Sequence, residues 1–195
     1  MKHLRYILSA FLVFASVSVY ADEGMWMIQD INAALEKNMK ARGLKLSSNE
    51  IYNADAPGTA ISDAVVSLGF YCTGSVISNW GLIITNHHCA YANIAKLSTP
   101  EHNYLEDGFW AMNTKDEIKI EGEKVYFLKR VFDVTDEVDQ VARDLSKRGQ
   151  PAGMRKISHI LETRYKEGTG LECILSSMWA GEKYYMSVYK VYDDV

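Results

Sequence analysis

A chain of 195 residues, 48% of them hydrophobic and 24% charged, is long enough for one domain with a sizeable core and too apolar to stay disordered. Its formal net charge of −4 argues against the basic surface that a nucleic-acid partner requires.

Residues 1–21 carry Lys2 and Arg5, then an apolar run, then the small-residue end Val19-Tyr20-Ala21, the pattern of a signal peptide cleaved near Ala21. The apolar run is too short for a stable membrane anchor. The mature protein is therefore expected to be periplasmic or secreted. Export would place its cysteines in an oxidising compartment, where a pair at the ends of a hairpin favours a bridge over a metal site.

Downstream, Ile28, Ile31, Leu35 and Met39 recur at spacings of three and four, which predicts one helix over residues 25 to 42 with Gly43 as its C-terminal cap. Ser47 and Glu50 have the spacing of a capping box for a short second helix. Pro57 and Gly58 mark the loop that follows. Residues 64–70 read as β-structure, and so do residues 74–77 and 82–85. The last two runs flank Ser78-Asn79-Trp80-Gly81, where Asn and Gly can supply the positive φ of a tight turn. A bridge between Cys72 and Cys89 would close the open end of this hairpin and fix the backbone beside His88.

Further on, residues 91–97 predict a short helical turn, and residues 101–112 a polar, aromatic loop or broken helix. Residues 124–134 predict a strand with Val125, Phe127 and Val131 on one side and Tyr126, Leu128 and Phe132 on the other. Between 136 and 166 the pattern becomes that of two amphipathic helices separated by Gly149-Gln150-Pro151. Two strands over 171–177 and 183–192 then form a hairpin through Trp179-Ala180-Gly181-Glu182. Cys173 in the first of them reads as a buried thiol.

The run from Cys72-Thr73-Gly74-Ser75 to Thr85-Asn86-His87-His88-Cys89 resembles the segment of chymotrypsin-like serine peptidases in which a cysteine opens a strand and a His-Cys pair closes the unit. Gly24-Met25-Trp26, the stretch Glu101-His102-Asn103-Tyr104-Leu105-Glu106-Asp107-Gly108-Phe109-Trp110-Ala111 and the Tyr-rich end extend the likeness. Together they make nearly all of the mature chain similar to the bacterial dipeptidyl-peptidase 7 and 11 family. The resemblance implies that His88 is the catalytic base and that Cys72 and Cys89 are disulfide-bonded. It also implies an α+β, mainly β fold: part of a chymotrypsin-like barrel over residues 22–195, with an N-terminal helix and a helical insertion at about 136–168. The implied activity is release of dipeptides from peptides with a free N-terminus, by a homodimer that needs no cofactor and no metal.

One feature of that family is missing. No Gly-x-Ser-x-Gly or Gly-Asp-Ser-Gly run supplies a nucleophile, and in the relatives the triad Asp and Ser lie beyond the point reached here. A base without its partners is expected to be inactive alone, so the chain reads as an N-terminal fragment. Asp194 follows a strand but does not take the acid's role, because in that family the acid lies further on. The rival reading is a non-catalytic secreted β-domain that binds peptides or is structural.

Other candidates are weighed on their residues. His87 and His88 as a metal pair are disfavoured, because neighbours on a strand point to opposite faces. His102 and His159 read as exposed or satisfied polar groups. Glu101, Glu106 and Asp107 read as loop surface charge. Trp26, Phe109, Trp110 and Trp179 could line a pocket, yet core is the expected role for aromatic residues beside apolar ones.

Overall fold

The structure is a computed structural model that describes residues 26–193 and Val195. It divides into two units, Met1–Ile31 and Asn32–Val195. Of the first, only a single 3-10 turn at Ile28–Asp30 is described as regular structure. The helices and strands described below belong to the second.

The N-terminal helix is shorter than the spacing of apolar residues predicts. Helix α1 is Ala33–Ala41, because the side chain of Asn32 accepts hydrogen bonds from the amides of Ala34 and Leu35 and starts the helix there. It ends as expected at Gly43, whose φ of +108° allows the amides of Gly43 and Leu44 to reach the carbonyls of Lys40 and Met39. Helix α2, Ser48–Ile51, has the reciprocal capping box of Ser47 and Glu50. Glu36 ties the two helices by accepting from Lys40 and from the Ser48 amide, which together hold its carboxyl down at about 2.

Six strands form one antiparallel sheet in the order β3-β2-β1-β4-β6-β5. They are β1 Val65–Leu68, β2 Cys72–Val76, β3 Ile83–Ile84, β4 Lys124–Asp133, β5 Glu172–Met178 and β6 Lys183–Asp193. The sheet is open, with β3 and β5 as its edges. The β-run predicted through residue 70 stops two residues earlier. Gly69 and Phe70 both take positive φ and turn the chain into β2, an uncommon geometry for a phenylalanine. Contacts hold it there: the Phe70 ring packs 4.2 Å from Tyr126 and 5.4 Å from Tyr189, and its amide donates to Ser67 Oγ. In the β2–β3 turn only Gly81 has positive φ, and Ser78 Oγ accepts from the amides of Trp80 and Leu82.

Strand β4 pairs with β6 along its length, but the register shifts by one between Leu128 and Arg130. The extra residue exchanges the two faces beyond it. Val125 lies opposite Tyr192 and Phe132 opposite Met186, so Phe132 joins the side of Val125 and Phe127, where the unbroken alternation puts Val131.

The two amphipathic helices form where the sequence predicts them, as α3 Thr135–Lys147 and α4 Met154–Lys166 in chain order among the longer C-terminal elements. Their apolar faces meet the β5–β6 end of the sheet. The resulting buried cluster contains Val138, Val141 and Leu145 from α3, Ile157 and Leu161 from α4, and Cys173, Met186 and Val188 from the strands. Glu137 accepts from Tyr165 Oη at 2.7 Å and joins the helices at their exposed rim. Glu162 accepts from the Leu175 amide on edge strand β5, which occupies a donor that could otherwise pair with another chain.

Leu161 has no exposed surface, so Leu161→Ala is expected to lower the unfolding free energy by about 2–5 kcal/mol in chemical denaturation. Trp80, 94% exposed, is expected to change it by less than about 0.5 kcal/mol when replaced by Ala. Asp133 accepts from Lys183 and Thr135, which lower its carboxyl from 3.8 to about 2. A carboxyl lowered by folding stabilises fully above its unfolded value and loses that contribution as pH falls toward the folded one. Urea midpoints for Asp133→Asn should therefore fall less steeply than wild type between about pH 4 and pH 2.

Candidate functional site

The histidines do not lie on a strand. The segment His87–Leu97 is a further helix, here called the histidine helix, that begins directly after Asn86. His87 and His88 occupy its first turn, and both are exposed. Successive side chains on a helix diverge by about 100°. His87 accordingly packs against Tyr91, ring centres 5.7 Å apart, and lines a cavity of about 590 Å³ with Tyr104, Leu105, Glu106 and Asp107. His88 turns to the cysteines instead.

Cys72 opens β2 and Cys89 lies in the first turn of the histidine helix, and their sulfurs are bonded across 17 positions of sequence. A ring nitrogen of His88 and both sulfurs lie within 4.8 Å of one another. This is the one trio among the described residues with metal-ligand spacing. With the sulfurs joined to each other it offers no thiolate to an ion. Thr85 Oγ1 donates to the Thr73 carbonyl at 2.8 Å and binds the end of the hairpin just before the helix. Buried Gly74 lets the hairpin close: a Cβ there would lie 2.7 Å from Ile83 Cγ2 and 3.3 Å from the Ile84 carbonyl. No hydrogen bond joins His88 to a carboxylate or hydroxyl among the described residues.

Beside the disulfide lies a larger cavity of about 800 Å³, lined in part by Trp80, Leu82, Cys89, Asn93, Phe109 and Trp110. Its rim is apolar and uncovered, with Trp80 94% and Trp110 83% exposed. The core role expected for Trp26, Phe109, Trp110 and Trp179 is therefore incorrect. All four are at least half exposed, although Phe109 meets Tyr104 and Trp179 meets Tyr185 edge to face. Of the four, Phe109 and Trp110 line this groove, the pocket role that the sequence left as the alternative to core; the part of Trp80, Leu82 and Asn93 in it was not read from sequence.

Of the other candidates, Glu106 and Asp107 belong to a one-turn helix, Tyr104–Asp107, and stand exposed at the smaller cavity. Glu101 is an exposed loop residue. His102 stacks on Tyr104, and His159 is exposed on α4. Cys173 is buried in the core, and burial raises its thiol above the ordinary value. Residues 1–21, Gly24, Met25 and Asp194 lie outside the described residues.

This fold recurs in solved peptidase structures. DPP11 of Porphyromonas endodontalis superposes with a TM-score of 0.77 and 35% identity over 89% of this chain and 25% of its own. The same enzyme solved with substrate matches at 0.77, and solved with the dipeptide Arg-Glu at 0.76. By sequence, the dipeptidyl-peptidase 7 of Porphyromonas endodontalis is 36% identical over all of this chain and 24% of its own length. The Asp/Glu-specific dipeptidyl-peptidase of Porphyromonas gingivalis is 37% identical over all of this chain and 27% of its own. The class these relatives define is that of peptidases. The sequence profile of Peptidase S46 matches residues 21–195, and the chain belongs to that family. It spans about a quarter of the length of the relatives it matches.

The disulfide closes a loop of 17 residues, so replacing Cys72 and Cys89 together by Ser is expected to cost roughly 3 kcal/mol. Thiol titration of the native chain should find Cys173 protected. In denaturant it should find one thiol without reductant and three with it.

Proposed function

We propose that these residues form the N-terminal part of an exported, serine-type dipeptidyl-peptidase, and that His88 is its general base. In this reading the open sheet is part of a chymotrypsin-like barrel on which α3 and α4 form a helical insertion, and the triad Asp and Ser come from a continuation of the polypeptide. His88 takes the proton of the serine hydroxyl as it attacks the peptide carbonyl, then returns it to the leaving amine. The complete enzyme acts in the periplasm or outside the cell, as a homodimer, on peptides with a free N-terminus.

The observation that carries this reading is the place of His88 beside the disulfide. The disulfide holds the first turn of the histidine helix against β2, and His88, next to Cys89 and with a ring nitrogen within 4.8 Å of both sulfurs, stays exposed. A base must be held in place and open to its nucleophile, and the exposure of His88 beside the disulfide supports that role. Membership of Peptidase S46 and the dipeptidyl-peptidase names of the relatives point to the same chemistry.

The test has two parts. The 195-residue chain alone is expected to release no dipeptide above background from N-terminally free dipeptidyl fluorogenic substrates. The native gene product purified from its source is expected to be much heavier than 22.0 kDa and to hydrolyse them. There His88→Ala should lower kcat/KM by at least about 10⁴-fold while His87→Ala has a far smaller effect. A native product no heavier than this chain would favour the rival, a secreted peptide-binding domain that uses the groove of Trp80 and Trp110.

A further inference from the structure

Glu123 immediately precedes the central strand β4, and its carboxylate reaches two elements on either side of the disulfide. Its Oε2 accepts from Tyr71 Oη at 2.7 Å and from Asn93 Nδ2 at 3.1 Å. Tyr71 adjoins Cys72 at the start of β2. Asn93 lies on the histidine helix four residues after Cys89, about 6 Å further along the axis at 1.5 Å per residue. The carboxylate therefore joins the turn that leads into β2 to the histidine helix, the helix that the disulfide also holds, from a third segment and at a second point.

The second point matters mechanically. One S–S bond fixes a separation but leaves the helix able to pivot about it. A contact one turn further along removes that freedom, and with it the swing of the helix N-terminus that carries His88. A carboxylate suits the place best, because a single oxygen receives a phenol and an amide at once, and charge-assisted bonds are the stronger kind. Glu123 Oε1 is buried without a hydrogen-bond partner among the described residues, so the two Oε2 bonds alone orient the group. Burial and then the Glu123 carboxylate push the Tyr71 phenol above its ordinary value. The turn that presents Tyr71 is itself tied to this point, since the Gly69 amide donates to the Lys124 carbonyl at 2.9 Å.

We propose that Glu123 is a positioning residue for His88, a non-covalent clamp that acts in parallel with the Cys72–Cys89 bond through Tyr71 and Asn93. Its value to catalysis rests on the reading of His88 as the base. The clamp itself is a property of this chain and is testable without turnover.

The experiment is a dithiothreitol redox titration of the 195-residue chain. One dithiothreitol gives two electrons and two protons to the Cys72–Cys89 sulfurs and becomes the cyclic disulfide. A clamp that keeps the two elements together favours the oxidised form. Glu123→Ala and Tyr71→Phe are each expected to make reduction about tenfold more favourable, ~30 mV for this two-electron couple. Glu123→Gln keeps a carbonyl acceptor and should recover part of the shift. In parallel, the His88 ring resonances in NMR spectra should move and broaden in Glu123→Ala, while those of His102 and His159 stay in place. Folded Glu123→Ala and Tyr71→Phe proteins with the wild-type midpoint and unchanged His88 signals would overturn the proposal. Should Glu123→Ala not fold, the Tyr71→Phe midpoint decides alone, because that change removes a single hydroxyl from a half-exposed ring. Failure of the triad reading would appear in peptidase assays and leave both readouts unaffected.

Discussion

A covalent bond between the first residue of a strand and the first turn of a helix is the constraint on which the site depends. Without it, the histidine helix would be held to the sheet by the short hairpin, whose β3 has two residues, and by side-chain contacts. With it, the position of His88 follows from the position of β2, and β2 is fixed through β1 to the centre of the sheet. In the proposed reading the general base is thus anchored through β2 and β1 to the sheet, and a catalytic group needs such an anchor.

The same sheet is finished at one end and open at the other. At the β5–β6 end, α3 and α4 bury Leu161 and Met186 completely and supply the main apolar cluster. At the β2–β3 end the large apolar residues face outward: Trp80, Leu82, Ile84, Trp110 and Met112 are all more than half exposed. An uncovered patch of that kind is a surface that binds something or packs against further structure. In the proposed reading, that patch is where further structure of the complete enzyme would pack.

Legibility from sequence follows the range of the interactions. The helices over 135–147 and 154–166, the capping box at Ser47 and the hairpin through Trp179 depend on neighbours within a few residues, and the pattern alone located them. The cap at Asn32 is local too, but it was masked by an apolar spacing that runs across it. What could not be read depends on distant partners. Phe70 turns where a strand was expected because Tyr126 and Tyr189 receive its ring. The faces of β4 exchange at a bulge that shows only in its pairing with β6. His87 and His88 begin a helix although the residues before them are strand-like. The site residues Cys72, His88 and Cys89 came from a resemblance, and the structure adds their proximity, the groove beside them and Glu123 behind them.

The most direct test of His88 as the base is an affinity label. A dipeptidyl chloromethyl ketone binds as a substrate and alkylates an imidazole that stands beside the reacting carbonyl. Applied to the native gene product and followed by peptide mapping, it should place one adduct on His88 and none on His87, with parallel loss of activity. An adduct on His87, or inactivation that leaves both histidines unmodified, would contradict the account.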